Sequence, residues 1–212
     1  MKSFLYLFLF LSLTVNAQKS YVIKYKGNPK AKVFDYKSGN LKIDKEIRSL
    51  AQKITFGKYT EASKVESIFL WITRSIAYDH ELRFNKNLQN DFYISEDMVV
   101  TKVIERQKAL CGGFAFIFER LCNQVGIEAK TIHGYTKLNA SFNKPNHTWN
   151  AVKINGQWQL LDITWSISNG KSKLPDRSWY LTKPEIFINS HYPQDRKWAL
   201  LKNLPSLREF VG

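Results

Sequence analysis

Residues 111–126, CGGFAFIFERLCNQVG, predict the central helix of the fold. Their apolar side chains recur at helical spacing and form one broad face, while charged and amide side chains lie on the other. Gly126 stands where a residue with a left-handed backbone commonly ends a helix. A helix with so wide an apolar face needs cover from several other elements. We therefore expect it to lie at the centre of the core.

The sequence after this helix predicts strands. Residues 128–137, 147–154 and 157–165 are rich in β-branched and aromatic side chains. The last two segments are joined by Asn155-Gly156, a strong signal for a two-residue hairpin turn. Because helical segments come before this run of strands, the sequence predicts an α+β fold with helices packed on an antiparallel sheet.

The start of the chain has the pattern of an export signal. Lys2 precedes an apolar run at residues 4–15, and Val15 and Ala17 are spaced like the residues before a cleavage site. This pattern predicts a signal peptide over residues 1–17, cleaved after Ala17, and a secreted or periplasmic protein. The run is shorter than the about 20 residues that a membrane-spanning helix needs, so we do not expect the chain to span a membrane.

The remaining sequence predicts a single domain after a short arm. Residues 18–57 predict an N-terminal arm and a first helix, and residues 58–212 predict the main domain. The hydrophobic share of 44% and the aromatic share of 14% are enough to fill one core of ordinary size. These values exclude a wholly disordered chain.

The charge of the chain favours acidic partners. The formal net charge is +14 at pH 7, which suits nucleic acid, anionic polymers of a cell envelope or lipid headgroups as partners, and charge alone selects none of these. The basic side chains are dispersed and do not cluster with stacking aromatic side chains. We therefore expect no nucleic-acid partner.

The two cysteines cannot pair with each other. Cys111 and Cys122 are eleven residues apart on the predicted helix, about 16 Å along its axis. A disulfide needs Cα atoms within about 7 Å. At least one free thiol in an exported protein calls for a chemical reason, and the spacing of cysteines and histidines does not match a zinc site.

The hairpin geometry brings a histidine next to an aspartate. If Asn155-Gly156 is a two-residue turn, counting back along both strands places Trp149 opposite Asp162. His147 lies two residues from Trp149 on the same face. It is therefore the diagonal neighbour of Asp162, at about 7–8 Å between Cα atoms. This distance suits an imidazole hydrogen-bonded to a carboxylate, and a slip of one residue would remove the contact.

Cys111 has the position of a catalytic nucleophile. It begins the central helix, where backbone N–H groups and the helix dipole stabilise a thiolate. Gly112 and Gly113 leave room for a substrate backbone to approach. A cysteine at a helix start, with a histidine and its aspartate on a neighbouring hairpin, is typical of cysteine acyl-transfer enzymes.

Each of these residues also has a structural interpretation when it is taken alone. A cysteine on an apolar helix usually packs in the core, which is how we interpret Cys122. A histidine in a strand is usually a satisfied structural group, and an aspartate in a sheet often caps a turn. The remaining histidines, which we assign to structure or loops, are His80, His133 and His191.

Several motifs of the sequence resemble one protein family. They are RQKALCGGFA at 106–115, HTWN at 147–150, DITW at 162–165, YLTKPE at 180–185 and HYPQD at 191–195. The order of cysteine, histidine and aspartate, and the short spacing from histidine to aspartate, are similar to the transglutaminase-like superfamily. The two C-terminal motifs are similar to its kyphoscoliosis peptidase-like branch.

This resemblance implies a papain-like fold and a triad of Cys111, His147 and Asp162 that attacks an amide carbonyl. The Cys111 backbone N–H is then the expected oxyanion donor. Further substrate or oxyanion candidates are Gln107, Gly112 and Trp149. The chain differs from calcium-dependent transglutaminases because its sequence has no dense acidic loop of the calcium-binding kind. We therefore expect neither a metal nor another cofactor.

The sequence leaves three functions open. The first is an exported cysteine hydrolase, a peptidase or amidase that acts on a protein or peptide through a thioester. The second is acyl transfer from a glutamine side chain to an amine, in which only the acceptor differs. The third is a catalytically silent module that uses the same fold to bind or scaffold envelope components, since fold alone does not establish function.

Overall fold

The computed structural model describes residues 41–137, 144–170 and 174–212, with side chains from residue 43 onward. The helices are α1 (Leu41–Ile54), α2 (Glu61–Ser75), α3 (His80–Phe84), α4 (Lys86–Phe92), α5 (Glu96–Arg106), α6 (Cys111–Gln124), α7 (Ile163–Ser168), α8 (Pro184–Phe187) and α9 (Leu207–Val211). The strands are β1 (Ala77–Tyr78), β2 (Lys108–Ala109), β3 (Ala129–Thr136), β4 (His147–Ile154), β5 (Gln157–Leu161) and β6 (His191–Pro193). The predicted signal peptide and most of the predicted arm lie outside the described residues.

The predicted central helix is confirmed as α6. It packs against α1, α2 and α5 on one side and against β3 and β4 on the other. Its buried residues run almost without interruption from Gly112 to Phe118, and Leu121 and Cys122 are also buried. Because both sides of α6 are covered, its first residue, Cys111, lies at a fixed position relative to the sheet.

The strands form an antiparallel sheet of order β5-β4-β3-β6, as the α+β prediction requires. β6 comes from the C-terminal part of the chain and pairs with β3 through Gly134, Tyr135 and Thr136. A separate pair, β1 and β2, is parallel and ends two residues before Cys111. The sheet thus places β6, from the C-terminal part of the chain, next to β3, which packs against α6.

Two of the predicted segments are wrong in detail. The polar stretch 79–94, predicted as a loop, contains α3 and α4, because Asp79 and Asn85 cap these short helices through Leu82 N–H and Leu88 N–H. The strand predicted over 157–165 ends at Leu161. It ends there because Asp162 caps α7 by accepting a hydrogen bond from Trp165 N–H.

The first helix is part of the same core as the main domain. The helix begins at Leu41, and its buried side chains Ile43, Ile47 and Ala51 belong to the cluster that surrounds α6. The described residues, from 41 onward, belong to one compact unit. Within the described ranges, no helix is both long enough and apolar enough to cross a bilayer.

Candidate active site

The predicted contact between His147 and Asp162 is present. β4 and β5 pair from Ile154↔Gln157 to Asn150↔Leu161, which is the register that the Asn155-Gly156 turn predicts. Asp162 follows the last paired residue, and its Oδ2 lies 2.6 Å from His147 Nε2. The diagonal geometry therefore holds, although Asp162 belongs to a helix cap and not to the strand.

Asp162 is fully buried and accepts three hydrogen bonds. Trp165 N–H donates to Oδ1 at 3.0 Å, and the Nε2 atoms of His147 and His191 lie 2.6 and 3.0 Å from Oδ2. Burial alone would raise the pKa of this carboxyl, but the charge of His147 and these hydrogen bonds hold it well below its usual range. Asp162 is thus an ionised carboxylate in a dry environment.

Cys111 and His147 shift each other's pKa toward an ion pair. Burial would raise the Cys111 pKa, but a hydrogen bond to His147, the charge of His147 and a hydrogen bond from the Gly112 backbone together lower it. Burial would lower the His147 pKa, but Asp162 and Cys111 raise it to about 10. Cys122 is different, because burial raises the pKa of its thiol well above the ordinary value. Both cysteines are free.

The start of α6 leaves its backbone donors facing this pair. Leu110 is the N-cap residue, and it makes no side-chain hydrogen bond to the first turn. The first N–H groups of a helix have no partner within the helix and attract negative charge. An oxyanion formed next to the Cys111 sulfur would lie at this helix end.

The two glycines that follow Cys111 have different roles. A Cβ on Gly113 would lie 2.9 Å from Val103 Cγ2 and 3.0 Å from Ala109 Cβ, so Gly113 allows α6 to pack closely on α5 and β2. A Cβ on Gly112 would lie 3.7 Å from Tyr93 Cε1, which is an ordinary contact. Gly112 therefore has room for a Cβ, whereas the room expected at Gly113 is taken up by Val103 and Ala109.

The other predicted site residues, Gln107 and Trp149, lie on different elements, Gln107 at the end of α5 and Trp149 on β4. Gln107 ends α5 with a left-handed backbone, φ 51°, and its carbonyl accepts from Ala77 N–H at the start of the β1–β2 pair. Its side chain is exposed. Trp149 is buried and stacks on His147 with 6.2 Å between ring centroids. Trp149 thus packs against one face of the His147 imidazole.

The structure adds His191 to the site, a residue that sequence reasoning assigned to structure or loops. It lies on β6, and its Nε2 contacts the same Asp162 oxygen as His147. Hairpin counting could not find this contact because β6 reaches the sheet beside β3, far from the turn. The signal in the sequence is the HYPQD motif at 191–195, which His191 begins.

His147, Asp162 and His191 are the kinds of residue that bind metal ions, and they lie close together. Their ligand atoms all lie within 4.8 Å of one another. Two ligands of a tetrahedral zinc ion lie about 3.3 Å apart, given bond lengths of about 2.0–2.1 Å. The 2.6 Å contact is too short for that arrangement and fits a charge-assisted hydrogen bond. The three residues therefore form a hydrogen-bonded cluster.

Comparisons with known proteins show which family the chain is similar to. A family model described as the transglutaminase-like superfamily matches residues 48–163. The chain is 33% identical over 180 residues to kyphoscoliosis peptidase of Homo sapiens and 31% identical over 188 residues to that of Mus musculus. These matches cover 79% and 83% of this chain but 26% and 27% of the relatives, so the chain spans about a quarter of their length. A solved structure of a TGase superposes with a TM-score of 0.48 at 27% identity, covering 62% of this chain and 34% of that one.

Proposed function

The chain belongs to the transglutaminase-like superfamily, and we propose that it is a cysteine hydrolase that cleaves amide bonds in a protein or peptide substrate. The observation that carries this proposal is the Cys111 thiol, whose pKa is lowered by His147 at the open N-terminus of α6. A reactive thiolate has no structural use in that position, whereas it is the nucleophile that amide cleavage needs.

The reaction follows from the positions of the three side chains. The Cys111 thiolate attacks the amide carbonyl, and backbone N–H groups of the first turn of α6 stabilise the oxyanion. His147 gives its proton to the leaving amine, which leaves an acyl thioester on Cys111. His147 then takes a proton from water as the water attacks the thioester, and the acid product leaves. Asp162 remains ionised throughout and balances the charge of His147.

The experiment distinguishes hydrolysis from acyl transfer and from a silent module. The chain beginning at Gln18 is incubated with a peptide mixture and a labelled primary amine, and products are identified by mass spectrometry. New peptide termini or deamidated glutamine support the hydrolase. Incorporated amine would assign acyl transfer instead. Cys111→Ala is the inactive variant and Cys122→Ala is the matched control, and a complete absence of Cys111-dependent products would favour a binding or scaffolding module.

We also propose that the protein acts outside the cytoplasm. The support is the signal-like pattern of residues 1–17 together with the net charge of +14, which suits anionic components of a cell envelope. Expression of the full chain in a secreting bacterium should give a form whose mass corresponds to a start at Gln18. An uncleaved form that stays in the cytoplasmic fraction would contradict export.

A further inference from the structure

His191 is buried among the side chains that hold the proposed catalytic imidazole. Its Nε2 lies 3.0 Å from Asp162 Oδ2, and its Nδ1 lies 2.8 Å from the Ser190 hydroxyl. Its side chain is fully buried. Four aromatic rings pack against it with centroid distances of 4.1 to 5.4 Å: Trp149, Trp165, Trp179 and Phe187. The ring therefore has one position, fixed by both packing and hydrogen bonds.

The contacts of His191 determine which nitrogen carries its proton. An ionised carboxylate only accepts hydrogen bonds, so His191 Nε2 carries the proton that it donates to Asp162. Burial lowers the pKa of His191, and this effect exceeds the opposite effect of Asp162, so the ring is neutral. The unprotonated Nδ1 then accepts from the Ser190 hydroxyl at 2.8 Å, and this hydroxyl shares its one proton with the more distant Phe187 carbonyl at 3.3 Å.

A neutral donor in this place has a specific advantage. Asp162 Oδ2 accepts from two rings, and one of them, His147, must be a cation to stabilise the Cys111 thiolate. A second cation would repel the first, with 5.5 Å between the two ring centroids. A neutral imidazole stabilises the carboxylate without that repulsion. The titratable groups that face Asp162 from neighbouring elements are His147 on β4 and His191 on β6, with Cys111 of α6 beyond His147.

We propose that His191 is a positioning residue, whose neutral Nε2–H keeps Asp162 ionised and directed at His147. The inference rests on the proposed Cys111 chemistry, because the orientation of His147 matters only if Cys111 is the nucleophile. It extends the site from three residues to four and gives β6 a role in it. Without this donor, the buried carboxylate takes up a proton more easily, and the imidazolium loses its counter-charge.

The test compares two variants of His191. His191→Phe keeps an aromatic ring among the four neighbouring rings but removes the donor, whereas His191→Gln keeps an N–H at a similar distance from the backbone. The rate of Cys111 alkylation by iodoacetamide is measured from pH 4 to pH 9. In His191→Phe the acid limb of this profile should move to higher pH by about one unit, because His147 is held less firmly by Asp162 and stabilises the Cys111 thiolate less. In His191→Gln the limb should return toward that of the parent.

A packing role would give a different result. If His191 only fills space, His191→Phe lowers the rate by the same factor at every pH or leaves it unchanged. An acid limb that does not move, or that moves equally in both variants, overturns the proposal. His133→Gln is the matched control, since His133 lies on the neighbouring strand β3 and contacts Thr148. Its acid limb should stay at the position of the parent.

A second measurement needs no folded variant. In ¹⁵N spectra of histidine-labelled parent protein, His191 should carry its proton on Nε2, with Nδ1 unprotonated, from pH 6 to pH 8. A ring protonated on Nδ1, or on both nitrogens, contradicts the proposal. Both measurements read the side chains and not turnover. If no substrate is cleaved, the proposed hydrolase fails, but the role of His191 can still be confirmed. If substrate is cleaved and the acid limb does not move, the role of His191 fails and the hydrolase stands.

Discussion

At the scale of single residues, the two cysteines of this chain are an internal comparison. Both lie on α6, but Cys111 begins the helix next to His147, whereas Cys122 is fully buried in the apolar core. The same helix therefore holds one thiol with a lowered pKa and one with a strongly raised pKa. What separates them is position along the helix, the charge of His147 and the two hydrogen bonds that Cys111 makes with His147 and the Gly112 backbone.

This difference predicts selective alkylation. At pH 7, iodoacetamide should modify Cys111 at least about 100 times faster than Cys122, because only a thiolate reacts and only Cys111 has a charged partner. Peptide mapping by mass spectrometry measures both rates in one sample. The rate at Cys111 should stay high as the pH falls from 8 to 6, where an ordinary thiol loses reactivity. Equal and slow modification of both cysteines would contradict the assigned ion pair.

Asp162 gives a second prediction at this scale. In Asp162→Asn, the amide oxygen can still accept from Trp165 N–H, but the amide nitrogen then meets two N–H donors and carries no charge. Turnover should fall by roughly 10³- to 10⁴-fold. The folded pKa of Asp162 is depressed, so its contribution to stability is present above about pH 4 and is lost as the pH falls. Urea unfolding should show a gap between parent and variant at pH 6 that narrows below pH 4, and a gap of constant size would contradict this linkage.

At the scale of elements, the position of α6 depends on close contact with α5 and β2. Gly113 faces Val103 and Ala109, where there is no space for a methyl group. Asn150 of β4 is buried, and its Nδ2 donates to Ala115 O at 3.0 Å and to Lys130 O at 3.3 Å. These contacts tie the strand that carries His147 to the helix that carries Cys111. The distance between nucleophile and base is thus set by packing several residues away from either.

The paired glycines test this packing. Gly113→Ala should destabilise the fold by about 1–3 kcal/mol, because Val103 or the helix itself must move to admit a methyl group. Gly112→Ala should be as stable as the parent or slightly more stable, since alanine is a better helix former than glycine and its methyl group meets only an ordinary contact. Thermal unfolding of the two variants measures the difference. A Gly113→Ala variant with the parent's melting temperature would contradict the close contact.

At the scale of the whole molecule, the features that the sequence predicts correctly are those that short stretches of residues determine. The stripe of α6 and the Asn155-Gly156 turn were enough to place Cys111, His147 and Asp162, and the predicted α+β, papain-like fold and superfamily are confirmed. The sequence-based prediction is wrong where two signals in the same segment favour different structures. Asp162 follows a good strand, but its capping of α7 ends that strand at Leu161.

The polar residues of 79–94 suggest a loop. Two of them, Asp79 and Asn85, are instead the N-caps of short helices, a position that favours polar side chains. The burial of Leu82 and Phe92 holds these short helices against the core, which composition alone could not reveal. His191 was missed for a related reason. Its contact with Asp162 depends on β6 pairing with β3, a long-range event that no short segment encodes.

The dependence of the site on β6 gives the last prediction, which concerns truncation. A chain that ends at residue 189 keeps Cys111, His147, Asp162 and the whole segment matched by the family model, but it lacks β6. It should lose the selective alkylation of Cys111, because Asp162 loses a hydrogen bond and the rings around it lose their cover. Circular dichroism checks that helices remain, and alkylation rates measure the site.

The matched control is a chain that ends at residue 205. It keeps β6 and the bond from Tyr192 Oη to Pro205 O at 2.9 Å, and it removes α9 with its buried residue Phe210. Because β6 still pairs with β3 in this chain, Cys111 should remain far more reactive than Cys122, although the melting temperature falls. If the chain ending at 189 alkylates at the parent rate, the three residues suffice without β6, and the C-terminal segment serves only stability.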